Sequence, residues 1–531
     1  FYQDLLLKDR IATATTQSQK DTIRNQAIDY TERKSISLIG VRKNGSGAKP
    51  HFYNVENFDF SYAYNEFSHH DYEIQSQSNK TVALSANYNY GFSPLEINPF
   101  KKIKALNRKK YWQWLREVNF NLMPNNIAIS SNINRLFNSQ QFREVYSQEI
   151  DASQQLALPD LQQRNFLFDW TYSINHNLSR SLKMNFTASS NNIVRNYYQE
   201  NNQGASMVDK SRDIWDGLWD VGDPNRHFQS LTLNYKLPLK YIPFLSFIDA
   251  NYSYTGDFSW QRGSNALADV QDIDGNVLGI VNTVQNANTQ TLNGSISMSK
   301  IYRLFGIQNR EQKLRKILPS KNTLTTAEET KKVPKKKKRM LRSIADVLSV
   351  MKRIQFTYTE NNGKVLPGYL PSLGFGGTLQ PTPGFTFGSQ ADVRYEAARN
   401  GWLTDFPDFN QQFTKIHNNQ LKVSGQFDFG KGLLIDFTAE RNFSENLSEN
   451  FSVINGSYVP LNPNTYGNFG ISTLLIKTAF NASSGSYNPN FEKFREHRLV
   501  VAQRLAIAAG IPATDVDEEG FPRGFGRTSQ T

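Results

Sequence analysis

The sequence predicts an all-β protein laid out as a large transmembrane antiparallel β-barrel, with long extracellular loops and one extracellular helix. Three observations predict it. Apolar and small polar residues alternate with period two, about a dozen times along the chain, which sends successive side chains to opposite faces of a sheet. Short reversals alternate with long polar connections, the asymmetry of barrels with short periplasmic turns and longer outer loops. Hydrophobic residues make up only 38% of the 531, and aromatics 13%. No run reaches the ~20 apolar residues of a membrane-spanning helix.

Taken in order, residues 1–50 are a poorly patterned lead-in, placed on the periplasmic side, with a strand-like stretch at Ser35–Val41. Strands follow at Glu56–Glu66, with Phe58, Phe60, Tyr62 and Tyr64 on one face, and at Lys80–Phe92. Glu117–Phe137 alternates too, but its phase slips at Met123–Asn126. Either a hairpin turns there or one strand carries a bulge at Pro124, and the bulge keeps short and long connections in alternation. Further strands read at Asn165–Asn175 and Ser181–Arg195.

Leu231–Trp260 is the clearest hairpin, reversed between Pro238 and Pro243. Its second strand sets Ile248, Ala250, Tyr252, Tyr254, Phe258 and Trp260 against Asp249, Asn251, Ser253, Thr255 and Asp257. Strands continue at Gln290–Tyr302, Arg353–Glu360, Asn419–Phe429, Gly432–Phe443 and Gly470–Phe480. The long connections are 138–164, 196–227, 261–289 and 361–417; the short ones are Asn177–Arg180, Pro238–Pro243 and Gly430–Gly432. Asn490–Ala509 reads as a helix, with Asn488–Pro489 at its start and Gly510 at its stop.

This parse gives five regions: a lead-in (1–50), barrel strands with outer loops (51–302), a basic periplasmic linker (303–352), and barrel strands with the long outer loop 361–417 (353–480). The last is a helix-containing extracellular segment (481–531). The apolar rows Phe58, Phe60, Tyr62, Tyr64 and Ile248, Ala250, Tyr252, Tyr254 are the candidate lipid-facing residues. Asp249, Asn251, Ser253, Thr255 and Asp257 are the candidate pore lining.

Signs of catalysis are absent. The seven histidines are scattered, the pair His69–His70 lies in a polar stretch, and no nucleophile elbow, HExxH or phosphate loop occurs. The segment DVQDIDGNVLG resembles a calcium loop at Asp272, Asp274 and Gly275 but has Val270 where the first ligand belongs, so it reads as a turn. Gly374–Gly377 lacks the strand-to-helix context of a dinucleotide site. No enzyme activity, cofactor or metal is expected.

The formal charge of +12 is clustered, most sharply at Lys331–Arg339, and cysteine is absent. Such a basic block reads as a solvated linker ahead of a nucleic-acid site. The Lys101–Lys110 cluster before Tyr111, Trp112 and Trp114 suits interfacial anchoring. The chain opens at Phe1 without an initiator Met and reads as an internal piece of a longer protein.

Several long strings carry a resemblance: Pro50–Ile74 (PHFYNVENFDFSYAYNEFSHHDYEI), Asn119–Arg135 (NFNLMPNNIAISSNINR), Phe247–Gly263 (FIDANYSYTGDFSWQRG) and Phe494–Ala506 (FREHRLVVAQRLA). From about residue 30 onward the chain resembles the SprA/Sov family, the giant outer-membrane translocon barrels of the type IX secretion system. The resemblance implies a C-terminal-side fragment of such a barrel, incomplete within this chain. It further implies a cell outer-membrane location and a role in protein transport, secretion and gliding motility. The implied partners are the PorV shuttle barrel, a periplasmic plug protein, secreted cargo proteins with C-terminal targeting domains, and outer-membrane lipid, with no nucleic acid. A plugged-barrel nutrient importer or an outer-membrane assembly barrel is the alternative.

Overall fold

The computed structural model describes residues 6–45, 51–103, 115, 118–143, 160–195, 198–200, 206–209, 211–304, 351–374, 376–428, 433–473, 482, 484–485, 487–512, 514–518 and 520–526. Its strands are β1 (Tyr30–Val41), β2 (Phe58–His70), β3 (Ile74–Gly91), β4 (Glu96–Ile97), β5 (Phe120–Asn121), β6 (Asn126–Phe142), β7 (Leu161–His176), β8 (Leu182–Ile193) and β9 (Tyr198–Glu200). They continue as β10 (Ser206–Val208), β11 (Asp223–Lys236), β12 (Ile248–Gln261), β13 (Asn282–Ser297), β14 (Met351–Tyr369), β15 (Phe413–Asp428), β16 (Leu434–Ile454) and β17 (Ser457–Ile471). The protein is mostly β, and among the described residues no helix is long and apolar enough to cross a membrane.

Thirteen of these strands form one antiparallel sheet in the order β1-β2-β3-β6-β7-β8-β11-β12-β13-β14-β15-β16-β17. Each strand pairs with its sequence neighbours in that sheet, and no ladder among the described residues joins β1 to β17. Strand lengths run from 12 residues in β1 and β8 to 21 in β16, beyond the usual ~5–6. Registers hold side chains of one kind in rows. Tyr235, Tyr252, Leu292, Tyr358 and Leu421 stand abreast across five strands. One residue along, on the opposite face, Asn234, Ser253, Thr291, Thr359 and Gln420 do the same. A one-residue slip in any ladder would exchange these rows, so the pattern itself selects the register.

The two ends of the sheet differ. One, the turn end, carries 177–181, 237–247 and 429–433. The other, the loop end, carries 194–222, 262–281 and 370–412. The alternation is not strict: the turn end also carries the long connections 42–57, 92–125 and 298–350, and the loop end also has the three-residue connection 71–73 and the two-residue turn Asn455–Gly456. Both turn residues take positive φ (50° and 72°), the geometry of the tight hairpin turns that Asn-Gly favours.

Several expectations change. The chain does not run through Pro124 as one bulged strand: β5 leaves the large sheet and pairs with β4. Pro124 has no N–H to give a ladder, while the buried Asn121 side chain accepts from the Leu95 and Met123 amides and holds the detour in place. The strand expected to reach Tyr302 ends at Ser297 and turns into a helix, Met298–Leu304. In the lead-in, Leu7–Thr13 and Gln17–Gln26 are helices, and β1 forms one sheet edge. Because Tyr30 pairs with His70, these helices precede β1 at the loop end, not the turn end. Strand β17 lies ahead of the expected Gly470–Phe480, most of which falls outside the described residues, as do the tract Lys331–Arg339 and residues 104–114.

Residues 471–531 form a second compact unit. Its helix, Pro489–Ala508, begins where the Asn488 side chain accepts from the Asn490 and Phe491 amides. Ala502 and Ala506 are its buried residues.

Candidate functional site

The polar face of the sheet is built from short side chains that bond to one another across strands. Asp249, Asn251, Ser253, Thr255 and Asp257 all lie on it, as their alternation requires. Thr255 and Thr232 hydroxyls are 3.3 Å apart, Thr357 donates to Asn293 (2.9 Å), Thr289 to Asn361 (2.9 Å) and Ser130 to Asn87 (2.7 Å). Asp249 stays exposed, 3.9 Å from Lys300. Such rungs satisfy hydroxyls and amides within the sheet and leave little apolar surface.

The opposite face divides along the strands. Toward the turn end it is apolar: Ile248, Ile296 and Ile354 form one row, and Leu38, Tyr62, Leu84, Ile133 and Phe168 form another. Two glycines sit in this region, each opposite an aromatic ring. A Cβ on Gly294 would meet the Phe356 ring at 2.2 Å, and one on Gly425 the Phe437 ring at 2.4 Å. The rings thus lie over the backbone where a side chain is missing. Phe58 packs on Tyr88 at 5.0 Å, and Phe60 is half exposed. Ile248 and Tyr252 are half-buried, whereas Ala250 is buried.

Toward the loop end the same face is covered by two returning segments. The first is 209–221. Arg135, 2% exposed, stacks on Phe166 at 4.6 Å and donates to the carbonyls of Ile214 (2.8 Å), Asp216 (2.7 Å) and Gly217. Arg164 donates to Asp209 O and Arg212 O, and Lys80 pairs with Asp213 at 3.1 Å. Ile214 is fully buried with Val82, Phe137 and Phe166, and Trp215 lies 5.4 Å from the Tyr64 ring.

The second cover is 370–412. Side chains of four strands reach its backbone: Gln229 donates to Thr386 O, Asn286 to Ser389 O and Asn288 to Gly388 O, all at 2.7 Å, and Lys364 to Ala391 O at 2.9 Å. Tyr254 OH donates to Phe387 O at 2.6 Å. The backbones touch at Gly256, where a Cβ would stand 2.2 Å from Phe387 O. Phe258 and Trp260 are buried beneath this cover with Phe385, Leu373 and Val393. Past β15, Arg394 lies over the Phe413 ring at 4.5 Å, pairs with Glu449 and chelates Asp392, while Tyr458 OH donates to Glu449 at 2.8 Å. Burial alone would raise the Asp392 carboxyl, but the Arg394 hydrogen bonds and charge outweigh it and hold it below its ordinary value.

The rows named from the sequence therefore share faces as expected, yet Tyr64 and Tyr254 touch the covers. Apart from Tyr254, whose hydroxyl holds Phe387 O, the residues that fasten the covers were not singled out from the sequence. One signal was legible: β13 reads NTVQNANTQT over 282–291, polar at even as well as odd positions, so neither face there is built for hydrocarbon. Among the described residues no group of three His, Asp or Glu side chains could hold a metal. Asp272 is occupied by the Asp274 and Asn276 amides, the work of a turn. His69 lies 3.3 Å from Asp71 and 3.5 Å from Asp29. No protein-family model matches this chain, and no curated protein matches it.

Proposed function

We propose that this chain is part of a very wide transmembrane β-barrel in the outer membrane, a protein-conducting translocon of the type IX secretion kind, and not an enzyme. The observation that carries the reading is the split of one 13-stranded meander into a small-polar face and a face with an apolar band at its turn end. An apolar band needs ~9–11 residues per tilted strand to span hydrocarbon. Strands of 12 to 21 residues supply that and extend beyond it. The polar face would then line a wet lumen offering little grip to a folded cargo. Barrel diameter grows with strand number, so thirteen strands that, among the described residues, still leave two edges suit a pore wider than a solute channel. The turn end would be periplasmic. The shuttle barrel, plug protein and cargo with C-terminal targeting domains are the partners this reading brings, on the strength of the sequence resemblance.

The test is a pair of neighbours on one strand. In the intact protein, Tyr252→Glu puts a charge into hydrocarbon and Asn251→Glu puts it into the lumen. Toward the middle of the bilayer a lipid-facing Lys or Arg costs roughly 2–4 kcal/mol, and a carboxylate less than that. Tyr252→Glu should deplete the assembled protein from outer membranes, and Asn251→Glu should leave it in place. Equal tolerance at both positions refutes the assignment of faces. Intact secretion with loss of uptake of one small solute would favour an importer instead.

A further inference from the structure

The 209–221 cover does not close flush against the sheet. Between it and the apolar face lies a crevice of about 160 Å³, lined by Leu84, Ala86, Ile133, Phe168, Trp219 and Val221, with the Ser131 hydroxyl among them. The crevice sits two to four residues nearer the turn end than the Val82–Arg135 pair, where Ile214 and the Arg135 guanidinium close the space above it. On its other side it runs into the open apolar band, where Ile129 is 47% exposed. Trp219 is 79% exposed and Trp215 41%, so two of the chain's seven tryptophans project from this one segment.

We propose that this crevice seats the end of a membrane-lipid acyl chain, packed between Trp219 and the β3–β6–β7 face. The inference rests on the outer-membrane reading above and gives that reading a specific lipid site. Three observations favour an acyl chain over a polar ligand or a peptide. The lining is almost wholly apolar: apart from the donor-only indole N–H of Trp219, the Ser131 hydroxyl is its one side-chain polar group. The volume is close to that of apolar protein cavities of ~150 Å³, which stay dry and accept benzene-sized guests. The crevice adjoins the apolar band, since its Ala86–Ser131 pair is followed on the same face by Tyr88 and Ile129, and its tryptophans are the residue type of the aromatic girdles at a membrane boundary. The crevice is also preformed, because three bonds from Arg135, two from Arg164 and the Lys80–Asp213 pair hold its roof.

The experiment uses the intact protein in phosphatidylcholine nanodiscs, with acyl chains either plain or brominated at mid-chain. Subtracting the emission of Trp219→Phe from that of the parent reads Trp219, and Trp215→Phe reads Trp215 in the same way. Brominated chains should quench both tryptophans in the parent. Filling the crevice with Ala86→Leu, or more gently with Ser131→Val, should abolish quenching of Trp219 and leave that of Trp215. If Trp215 is quenched while Trp219 is not, or stays quenched in both filled variants, the lipid site is wrong and the membrane reading survives. If neither tryptophan is quenched in the parent, both are wrong.

Discussion

Gly256 tests how the large cover is held. A Cβ there would lie 2.2 Å from Phe387 O and 2.8 Å from its carbonyl carbon, and ordinary contact begins at 3.4 Å. In Gly256→Ala the backbone at 387 must therefore retreat by about 1.2 Å. That retreat stretches the Tyr254–Phe387 bond from 2.6 Å and the Asn288–Gly388 and Asn286–Ser389 bonds from 2.7 Å, beyond the ~3.2 Å limit of useful geometry. Three bonds at ~1 kcal/mol each come to about 3 kcal/mol, or roughly a 100-fold rise in the opened cover. The assay is hydrogen exchange at the Thr386, Gly388 and Ser389 amides, which bond within the cover to Thr382, Phe385 and Gly384. Gly363→Ala is the control: it lies on the opposite face of β14, and its Cβ would meet Asn286 O at an ordinary 3.6 Å. Exchange that stays as slow in Gly256→Ala as in the parent, or quickens equally in the control, refutes the argument.

Other consequences follow from the same fastenings. Arg135→Met removes three carbonyl partners at once and should cost about 2–4 kcal/mol, read as faster proteolysis within 209–221. Arg135→Lys should rescue it poorly, because an ammonium cannot reproduce the planar fork. The Asp392–Arg394 pair sets a pH response. Since the folded carboxyl titrates below its ordinary ~3.9, its contribution is whole above that value and is lost as pH falls through the lowered one. The environment of Trp402, which packs against the same cluster, should thus be constant from pH 7 to about pH 4 and change below it in the parent. Asp392→Asn should weaken the cover at neutral pH and remove this component of the acid response. Gly456→Ala, at φ 72° in the β16–β17 turn, should cost about 1–2 kcal/mol and loosen the Arg394–Glu449–Tyr458 cluster, read as faster exchange in β17.

What could be read from the sequence was what depends on near neighbours. Period-two alternation marked eleven of the thirteen sheet strands, because side-chain direction along an extended chain is a local property. It also marked which residues share a face: Tyr252 with Tyr254, Asn251 with Ser253. Where alternation is weak the reading slipped. Strand β17 contains Pro460, Pro463 and an Asn462 at φ 47°, so it lacked a strand's signature and owes its place to pairing with β16. Pro124 marked an irregularity, but whether the chain bulged or left the sheet depended on Asn121 finding the Leu95 amide, 26 residues back. Alternation likewise carried the apolar row past Tyr254 to Phe258 and Trp260 as though one environment ran the whole length of β12. The tertiary structure decided otherwise, since what covers a face is set by residues more than a hundred positions away. Phe258 and Trp260 are apolar because Phe385, Leu373 and Val393 pack on them, and Asn286, Asn288 and Lys364 are polar on that same face because they meet returning carbonyls. A sequence declares which side chains point together; only the fold decides what they meet.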